Sequence, residues 1–467
     1  MAEVGGEGAG AANGGGAVSG AREAALLSLH AVERRGDHAD VALHFFLRRQ
    51  ALDRRDSALA TELAYGALKR RNTLDWIIES RADRGVAAMT AWIRNILRLG
   101  VYQLRFLRVP AHAAVNESVA LAKKYGHAGT ARYVNAVLRA VARAPDEPAP
   151  PPPAQDPVGF LVFDRSHPEW LVRRWVERYG FDGARGLCDW DNQPAPVVVR
   201  PNRLRVTPGE LLAALAAEGV AARPAGTLPP DCGGLAIEPG GAVEDLQAYK
   251  RGLFQVQDEG AMLAGLLLAP QPGETVVDAC GAPGGKATHL AELMGDRGRV
   301  VALDRDEYKL PAVRGSSRRL GIHIVSTQCG DARELGELLP DAADRVLCDV
   351  PCSGVGALRR NADARWRKVP ADLPRLARLQ LAILAGASGA VRRGGVLLYA
   401  TCSLEPEENE EVVAAFLDAH PEFLRDDLRP LLPPALAAEP AAGGGTLQLL
   451  PHVHGCDGFF YARLRRR

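Results

Sequence analysis

At 467 residues, with 47% apolar side chains, 24% charged ones and a formal net charge of +1, the chain is long enough to bury a large core and to divide into two or three domains. No apolar run approaches the roughly 20 residues that a membrane span requires, and the N-terminus lacks a basic start followed by an apolar stretch. A soluble chain of the cytoplasm is therefore expected. Eight cysteines spread over this length read as free thiols, not as a disulfide framework.

Residues 1–20 are rich in Gly and Ala with almost no large apolar side chains, and such a tail is expected to stay disordered. From Ala21 onward the apolar residues recur at helical spacing, as in Leu97, Val101, Leu104 and again in Val134, Leu138, Val141. An all-helical domain is expected over 21–144, interrupted near Gly36, near Arg84 and at Pro110. Between Arg94 and Arg143 stand nine basic residues (Arg94, Arg98, Arg105, Arg108, Lys123, Lys124, Arg132, Arg139, Arg143) against one acid, Glu117. Such a block either attracts phosphate backbones or is simply a solvated helical surface.

Residues 145–158 (PAPPPPAQDP and its flanks) favour extended polyproline geometry and read as a semi-rigid linker. A small mixed α/β module is expected over 159–250, with a helix from Pro168 to Tyr179, an extended run from Pro196 to Arg200 and a helix near Pro208 to Glu218. Over 251–467, short apolar runs ending in Asp, Cys or Gly alternate with helical segments. This pattern predicts a doubly wound, Rossmann-like α/β domain with a parallel sheet.

The buried run Thr275 to Cys280 feeds Gly281-Ala282-Pro283-Gly284-Gly285-Lys286 and then a helix, at the edge where such sheets bind ligands. A phosphate-binding Walker loop would need glycine where Cys280 stands and Ser or Thr where Ala287 stands, and a dinucleotide fingerprint fails at Pro283. What remains is a glycine loop that suits a nucleoside amino acid such as S-adenosylmethionine. Asp304, ending the next strand, suits the ribose hydroxyls; Asp331, after the third strand, suits the adenine edge. For either acid the commoner use is a helix N-cap.

The fourth strand runs into Asp349-Val350-Pro351-Cys352-Ser353-Gly354 and the fifth into Thr401-Cys402-Ser403, so each delivers a thiol to the same edge. Enzymes that methylate exocyclic nitrogens usually carry an aromatic residue where Cys352 stands, which points here to carbon as the acceptor. Carbon 5 of cytosine becomes nucleophilic only after a thiolate adds to carbon 6, which is covalent catalysis. Asp349 is suited to hydrogen-bond the ring nitrogen side of that adduct. The base must be single-stranded or flipped out. Cys188, Cys232, Cys280, Cys329, Cys348 and Cys456 read as small inert hydrophobes. Zinc at Cys348 and Cys352 lacks a second ligand pair, so no metal is expected.

The motifs QDEGAM (Gln257 to Met262), DACGAPGGK (Asp278 to Lys286), DVPCSGVG (Asp349 to Gly356), TCSLEPEENE (Thr401 to Glu410) and PHVHGCDGFF (Pro451 to Phe460) together resemble the RNA 5-methylcytosine methyltransferase family, in its type that modifies small-subunit ribosomal RNA. The resemblance covers nearly the whole chain. It implies Cys402 as nucleophile, Cys352 as the thiol that assists product release, and S-adenosylmethionine contacts from Cys280, Gly281, Ala282, Pro283, Gly284, Gly285, Lys286, Asp304, Asp331 and Asp349. Glu405 to Glu411 looks like the family's acidic helix start, which otherwise reads as a solvated N-terminus matched to the helix dipole. ARYVNAVLR (Ala131 to Arg139) and VPAHAAVNESVALAKKYG (Val109 to Gly126) are similar to a NusB-like RNA-binding domain, and this favours the RNA reading of the basic block. Val350, where Ala or Pro is usual, and Ala362, where Pro is usual, are expected to loosen the loop that receives the base. The expected partner is RNA, small-subunit rRNA first, with no membrane, no metal and a monomeric chain. The rival readings are a catalytically silent RNA-binding assembly factor, a tRNA rather than rRNA cytosine methyltransferase, and an N-methyltransferase.

Overall fold

The computed structural model describes residues 19–144, 148–229 and 233–467. Except for Ser19 and Gly20, the tail expected to be disordered lies outside the described residues, as do the start of the Pro-rich segment and Cys232. The chain packs as two units that divide between Cys188 and Asp189.

The first unit opens with seven helices: α1 (Gly20–Arg35), α2 (Ala39–Arg49), α3 (Arg54–Lys69), α4 (Arg71–Glu79), α5 (Ala91–Arg105), α6 (Ala111–Lys124) and α7 (Ala128–Arg143). Asp53 and Thr90 accept from the amides of Asp56 and Ile93, capping α3 and α5, which satisfies donors that a helix start leaves open. The expected breaks at Gly36, at residues 80–90 and before α6 are present; further breaks fall at residues 50–53 and 125–127. Leu26, Leu63, Ile78, Ile96, Leu97, Val134 and Leu138 form a core with at most 1% exposure.

The basic block is thinner than its count. Arg98 is buried, with Nε and Nη2 each 2.7 Å from the Asp75 carboxylate, and Arg94 is paired with Glu33 at 2.9 Å. Arg105 donates to the Val141 and Ala144 carbonyls at 2.8 and 3.1 Å, and Lys124 pairs with Glu23 at 2.5 Å. Arg108, Lys123, Arg132, Arg139 and Arg143 remain on the surface. The Pro-rich segment, read as a spacer, is docked at its described end: the Trp76 indole donates to the Pro148 carbonyl at 3.0 Å. The following helix α8 (Pro157–Asp164) is tied to α4 by Thr73 Oγ1 donating to Phe163 O at 2.6 Å. Next comes α9 (Glu169–Asn192), interrupted at Gly180, where φ is 70°.

The second unit takes in the last residues of α9 and then a small antiparallel sheet of β1 (Val197–Pro201), β2 (Ala221–Pro224), β3 (Leu235–Glu238) and β4 (Phe254–Val256), in the order β2-β3-β1-β4, with helix α10 (Pro208–Ala217) between β1 and β2. Thr207 and Glu210 close a reciprocal capping box at the start of α10.

The large sheet contains β5 (Thr275–Asp278), β6 (Arg299–Asp304), β7 (Val325–Cys329), β8 (Ala343–Asp349), β9 (Val391–Thr401), β10 (Phe423–Arg425), β11 (Thr446–Leu449) and β12 (Phe459–Arg466). Its order is β10-β12-β9-β8-β5-β6-β7, with β11 on β12. The five strands from β7 to β9 are parallel, and β12 runs antiparallel to β9. Val276, Val300, Leu347 and Leu398 face one helical layer and Val277, Val301, Val346 and Leu397 the other. A sheet covered on both faces needs such continuous apolar strands. The strand order reverses between β5 and β8, so their loops diverge and open a crevice at the carboxyl edge.

Candidate active site

Every residue proposed from the sequence sits on this edge. From β7 toward β9 the edge carries Asp331, Asp304, the glycine loop, Asp349 with Cys352, and Cys402. Within the loop, a Cβ on Gly281 would lie 2.9 Å from the Ala302 Cβ, and Gly284, at φ 104°, would put one 2.9 Å from the Val313 Cα. Only glycine permits so close an approach of backbone to strand and helix. Ala282 and Pro283 are joined by a cis peptide bond, and the helix Gly285–Leu293 follows. The Asp304 carboxylate accepts from the Asp306 amide at 2.9 Å. Asp331 caps the turn that follows it and is gripped by Arg333 at 2.6 and 3.0 Å, the ordinary structural use of such a residue.

Two contributors escaped the sequence reading. Asp278, the last residue of β5, is 1% exposed, and neither carboxylate oxygen completes a hydrogen bond among the described residues. Burial pushes its pKa up to about 7 against the pull of Lys286. Arg200, from β1, is the other. It is buried, sits 2.7 Å from Glu292 and donates to the Gly285 carbonyl at 2.9 Å, so the small sheet braces the first turn after the glycine loop.

On the other side of the crevice, the Cys352 and Cys402 sulfurs are 3.3 Å apart. Asp349 pairs with Lys286 at 2.5 Å. Burial works against the Lys286 charge, yet Asp349 and Asp278 outweigh it and hold the ammonium above its ordinary value. Lys286, assigned above to the cofactor, thus joins the glycine loop to the cysteine side, with its ammonium 5.7 Å from the centre of the Phe459 ring. The Cys352 thiol is driven well up by its hydrogen bond to Cys402, by burial, and by the nearby charges of Cys402 and Glu408.

Glu405 to Glu411 does not form a solvated start. Residues 406–408 make a short 3-10 turn before the helix Glu410–Ala419, and Glu405, Glu408 and Asn409 are buried. The Glu408 carboxylate accepts from the Ser353 amide at 2.8 Å, the Gln380 amide at 2.9 Å and the Ser403 hydroxyl at 2.5 Å. It also accepts from the Ser353 hydroxyl. The loop carrying Val350 and Ala362 is anchored: Gly356 N donates to Cys402 O at 2.9 Å, and Arg360 pairs with Asp258 and Asp457 at 2.7 and 2.9 Å. Cys188, Cys348 and Cys456 are buried, whereas Cys329, read as an inert buried thiol, is exposed. Among the described residues no cluster of His, Cys, Asp or Glu is arranged to hold a metal, and no helix is long and apolar enough to cross a membrane.

A parallel sheet of this order, with a glycine loop after its first strand and acids at successive strand ends, defines a Rossmann-like methyltransferase. Residues 265–465 match the model of the 16S rRNA methyltransferase RsmB/F family, residues 19–143 that of the NusB family, and residues 167–237 that of the RsmF/B-like ferredoxin-like domain. The chain is 37% identical to a probable ribosomal RNA small subunit methyltransferase B of Bacillus subtilis, over 96% of this chain and 98% of that protein. It is 33% identical to the ribosomal RNA small subunit methyltransferase B of Escherichia coli, over 90% of this chain and 92% of that one. The crystal structure of PH0851 superposes with a TM-score of 0.82 at 27% identity, covering 96% of this chain and 99% of that one. The chain therefore belongs to the family of ribosomal RNA small subunit methyltransferase B.

Proposed function

We propose that this protein transfers a methyl group from S-adenosylmethionine to carbon 5 of a cytosine in RNA, small-subunit rRNA first, through a covalent bond from Cys402 to carbon 6. The observation that carries this reading is the pair of thiols in contact at 3.3 Å, beside the Lys286–Asp349 pair. The Cys402 sulfur adds to carbon 6, and the electron pair released into the ring makes carbon 5 the nucleophile. Asp349 and Lys286 hold the ring nitrogen side while charge develops. After transfer the carbon-5 proton passes to solvent, the ring double bond re-forms and Cys402 leaves as thiolate. Cys352, kept protonated, donates its S–H hydrogen bond to the departing sulfur.

The orphaned carboxylate of Asp278 tests the fit of the implied cofactor. A buried acid whose oxygens complete no hydrogen bond among the described residues, beside a loop shaped by Gly281 and Gly284, fits a ligand that brings an ammonium. S-adenosylmethionine has one, and when bound it supplies an electrophilic sulfonium methyl. Asp278 and the loop from Cys280 to Gly285 would hold its methionine end and Asp304 its ribose. Asp331, already engaged by Arg333, is the least available of the assigned contacts.

The raised Asp278 pKa fixes a sign. Its contribution to the stability of the ligand-free protein is fully present below its ordinary value near 3.8 and is lost as pH rises through about 7. An arriving ammonium favours the ionised form, so affinity for S-adenosylhomocysteine, which carries the same ammonium, should rise between about pH 5.5 and 7.5 and then level off. Calorimetric titration checks this, and Asp278→Asn should bind more weakly with a flat profile. An unchanged profile in that variant would exclude Asp278 as the ammonium partner.

The helical residues 21–144 serve in this reading as an RNA-binding domain that acts in the cytoplasm through the cations left on its surface. Replacing Arg132 and Arg139 together by Glu should weaken rRNA binding and lower the slope of log affinity against log salt by about 1 for each phosphate no longer neutralised, with cofactor affinity unchanged. An unaltered slope would assign those cations to an ordinary solvated face. The overall function is tested by bisulfite mapping of unmodified small-subunit rRNA after incubation with protein and S-adenosylmethionine. A new resistant cytosine supports the reading, and methyl found only on an exocyclic amine opposes it.

A further inference from the structure

We propose that Glu408 is a positioning residue for the two-thiol reaction, locking the turns that carry Cys352 and Cys402 to each other so that the sulfurs stay within reach through adduct formation and release. This inference rests on the Cys402 adduct chemistry proposed above. Ser353 and Ser403 each follow one of the two cysteines, and both hydroxyls converge on the same fully buried carboxylate. Their oxygens are also 3.1 Å apart. One carboxylate oxygen takes the Ser353 and Gln380 amides and the other takes the two hydroxyls. Two amides and two hydroxyls thus converge on one side chain, and each cysteine turn contributes at least one of them.

The hub is itself held on every side. Gln380 donates to the Pro351 carbonyl at 3.0 Å, the Tyr399 hydroxyl lies 2.5 Å from the Glu408 carbonyl oxygen, and Asn409 bonds Thr401 at 2.6 Å and the Ser403 carbonyl at 3.0 Å. Strand β8's exit, strand β9's exit and the helix that carries Gln380 are thereby tied to a single charged point. A buried polar network satisfied at every member specifies one arrangement of its backbone. Here the arrangement it specifies is the sulfur contact. The same charge also helps to keep the Cys352 thiol protonated, which suits a donor to a departing thiolate. Glu408 touches neither base nor cofactor in this scheme and acts only through the cysteines.

The test uses the full chain as Glu408→Gln, which keeps shape and one acceptor oxygen but replaces the other with an NH2 donor, and Ser353→Ala, which removes one donor and leaves the carboxylate. Both should bind S-adenosylhomocysteine with affinity near that of the unaltered protein. In both, kcat should fall roughly 10- to 100-fold with KM for RNA within about threefold, as expected when reacting groups are misplaced by a fraction of an ångström. Both should also accumulate a denaturation-resistant adduct on ordinary cytosine RNA, because release suffers more than addition; a structural role alone would not shift that balance. A kcat within about twofold of the unaltered protein, or a fall in kcat without adduct build-up, overturns the proposal. If Glu408→Gln fails to bind the cofactor analogue, Ser353→Ala decides alone. A failure of the adduct chemistry itself is recognised separately, by the unaltered protein forming no adduct with 5-fluorocytosine RNA.

Discussion

Cys402→Ala should abolish methyl transfer to RNA, with turnover falling by at least about 10⁴-fold and no covalent complex on 5-fluorocytosine RNA. The size of the loss follows from the acceptor. Carbon 5 of cytosine has no lone pair, so without an attacking sulfur there is no slower version of the same path. Cys402→Ser should fare little better, since a hydroxyl in the same place is a far weaker nucleophile than a thiolate at neutral pH. Affinity for S-adenosylhomocysteine should be retained, because Asp278 and the glycine loop are untouched. Labelled-methyl transfer, run beside calorimetric titration of the cofactor analogue, separates loss of chemistry from loss of folding.

Cys352→Ala should behave in the opposite way: it should bond to RNA and fail to let go. Its sulfur is 3.3 Å from that of Cys402, and the hydrogen bond to Cys402, burial and the Glu408 charge keep it a thiol. Losing that donor strips the returning thiolate of the group best placed to receive its charge. Multiple turnover should fall roughly 10²- to 10⁴-fold, the usual range for removing a positioned proton donor, while the methyl group is still delivered once. On a denaturing gel the variant should carry RNA even when the substrate is ordinary cytosine. Were Cys352→Ala inactive without adduct while Cys402→Ala trapped RNA, the two thiols would have exchanged roles.

The carboxyl edge was legible because its signals are local. A continuous apolar strand ending in GAPGGK, an acid at the next strand end, and cysteines directly after the fourth and fifth apolar runs each lie within a few residues, and the sheet order brings them together. The contributions that stayed hidden depend on partners far along the chain. Arg200 meets Glu292 across 92 residues, and Glu408 meets Ser353 across 55; no charge count distinguishes such a buried acid from a solvated one. The run EPEENEE has the composition of an exposed helix start, yet Glu408 and Asn409 turn inward because the cysteine turns offer Glu408 donors and Asn409 both a donor and an acceptor. Asp278 opens the motif DACGAPGGK, but its orphaned state is a property of what surrounds it. The basic block misled in the same way: Arg94 and Arg98 are one helical turn apart on α5 and share the face that meets Glu33, so they neutralise acids of their own unit. The small sheet was only half visible, since β4 is three residues long and takes its place by pairing with β1.

The most direct measurement is peptide mapping by mass spectrometry of the protein incubated with S-adenosylmethionine and a small-subunit rRNA fragment carrying 5-fluorocytosine. The expected product is a methylated fluorocytosine nucleotide bonded to the peptide that contains Cys402, with Cys352 unmodified. A protein that methylates ordinary RNA yet shows no bond to either cysteine would contradict it.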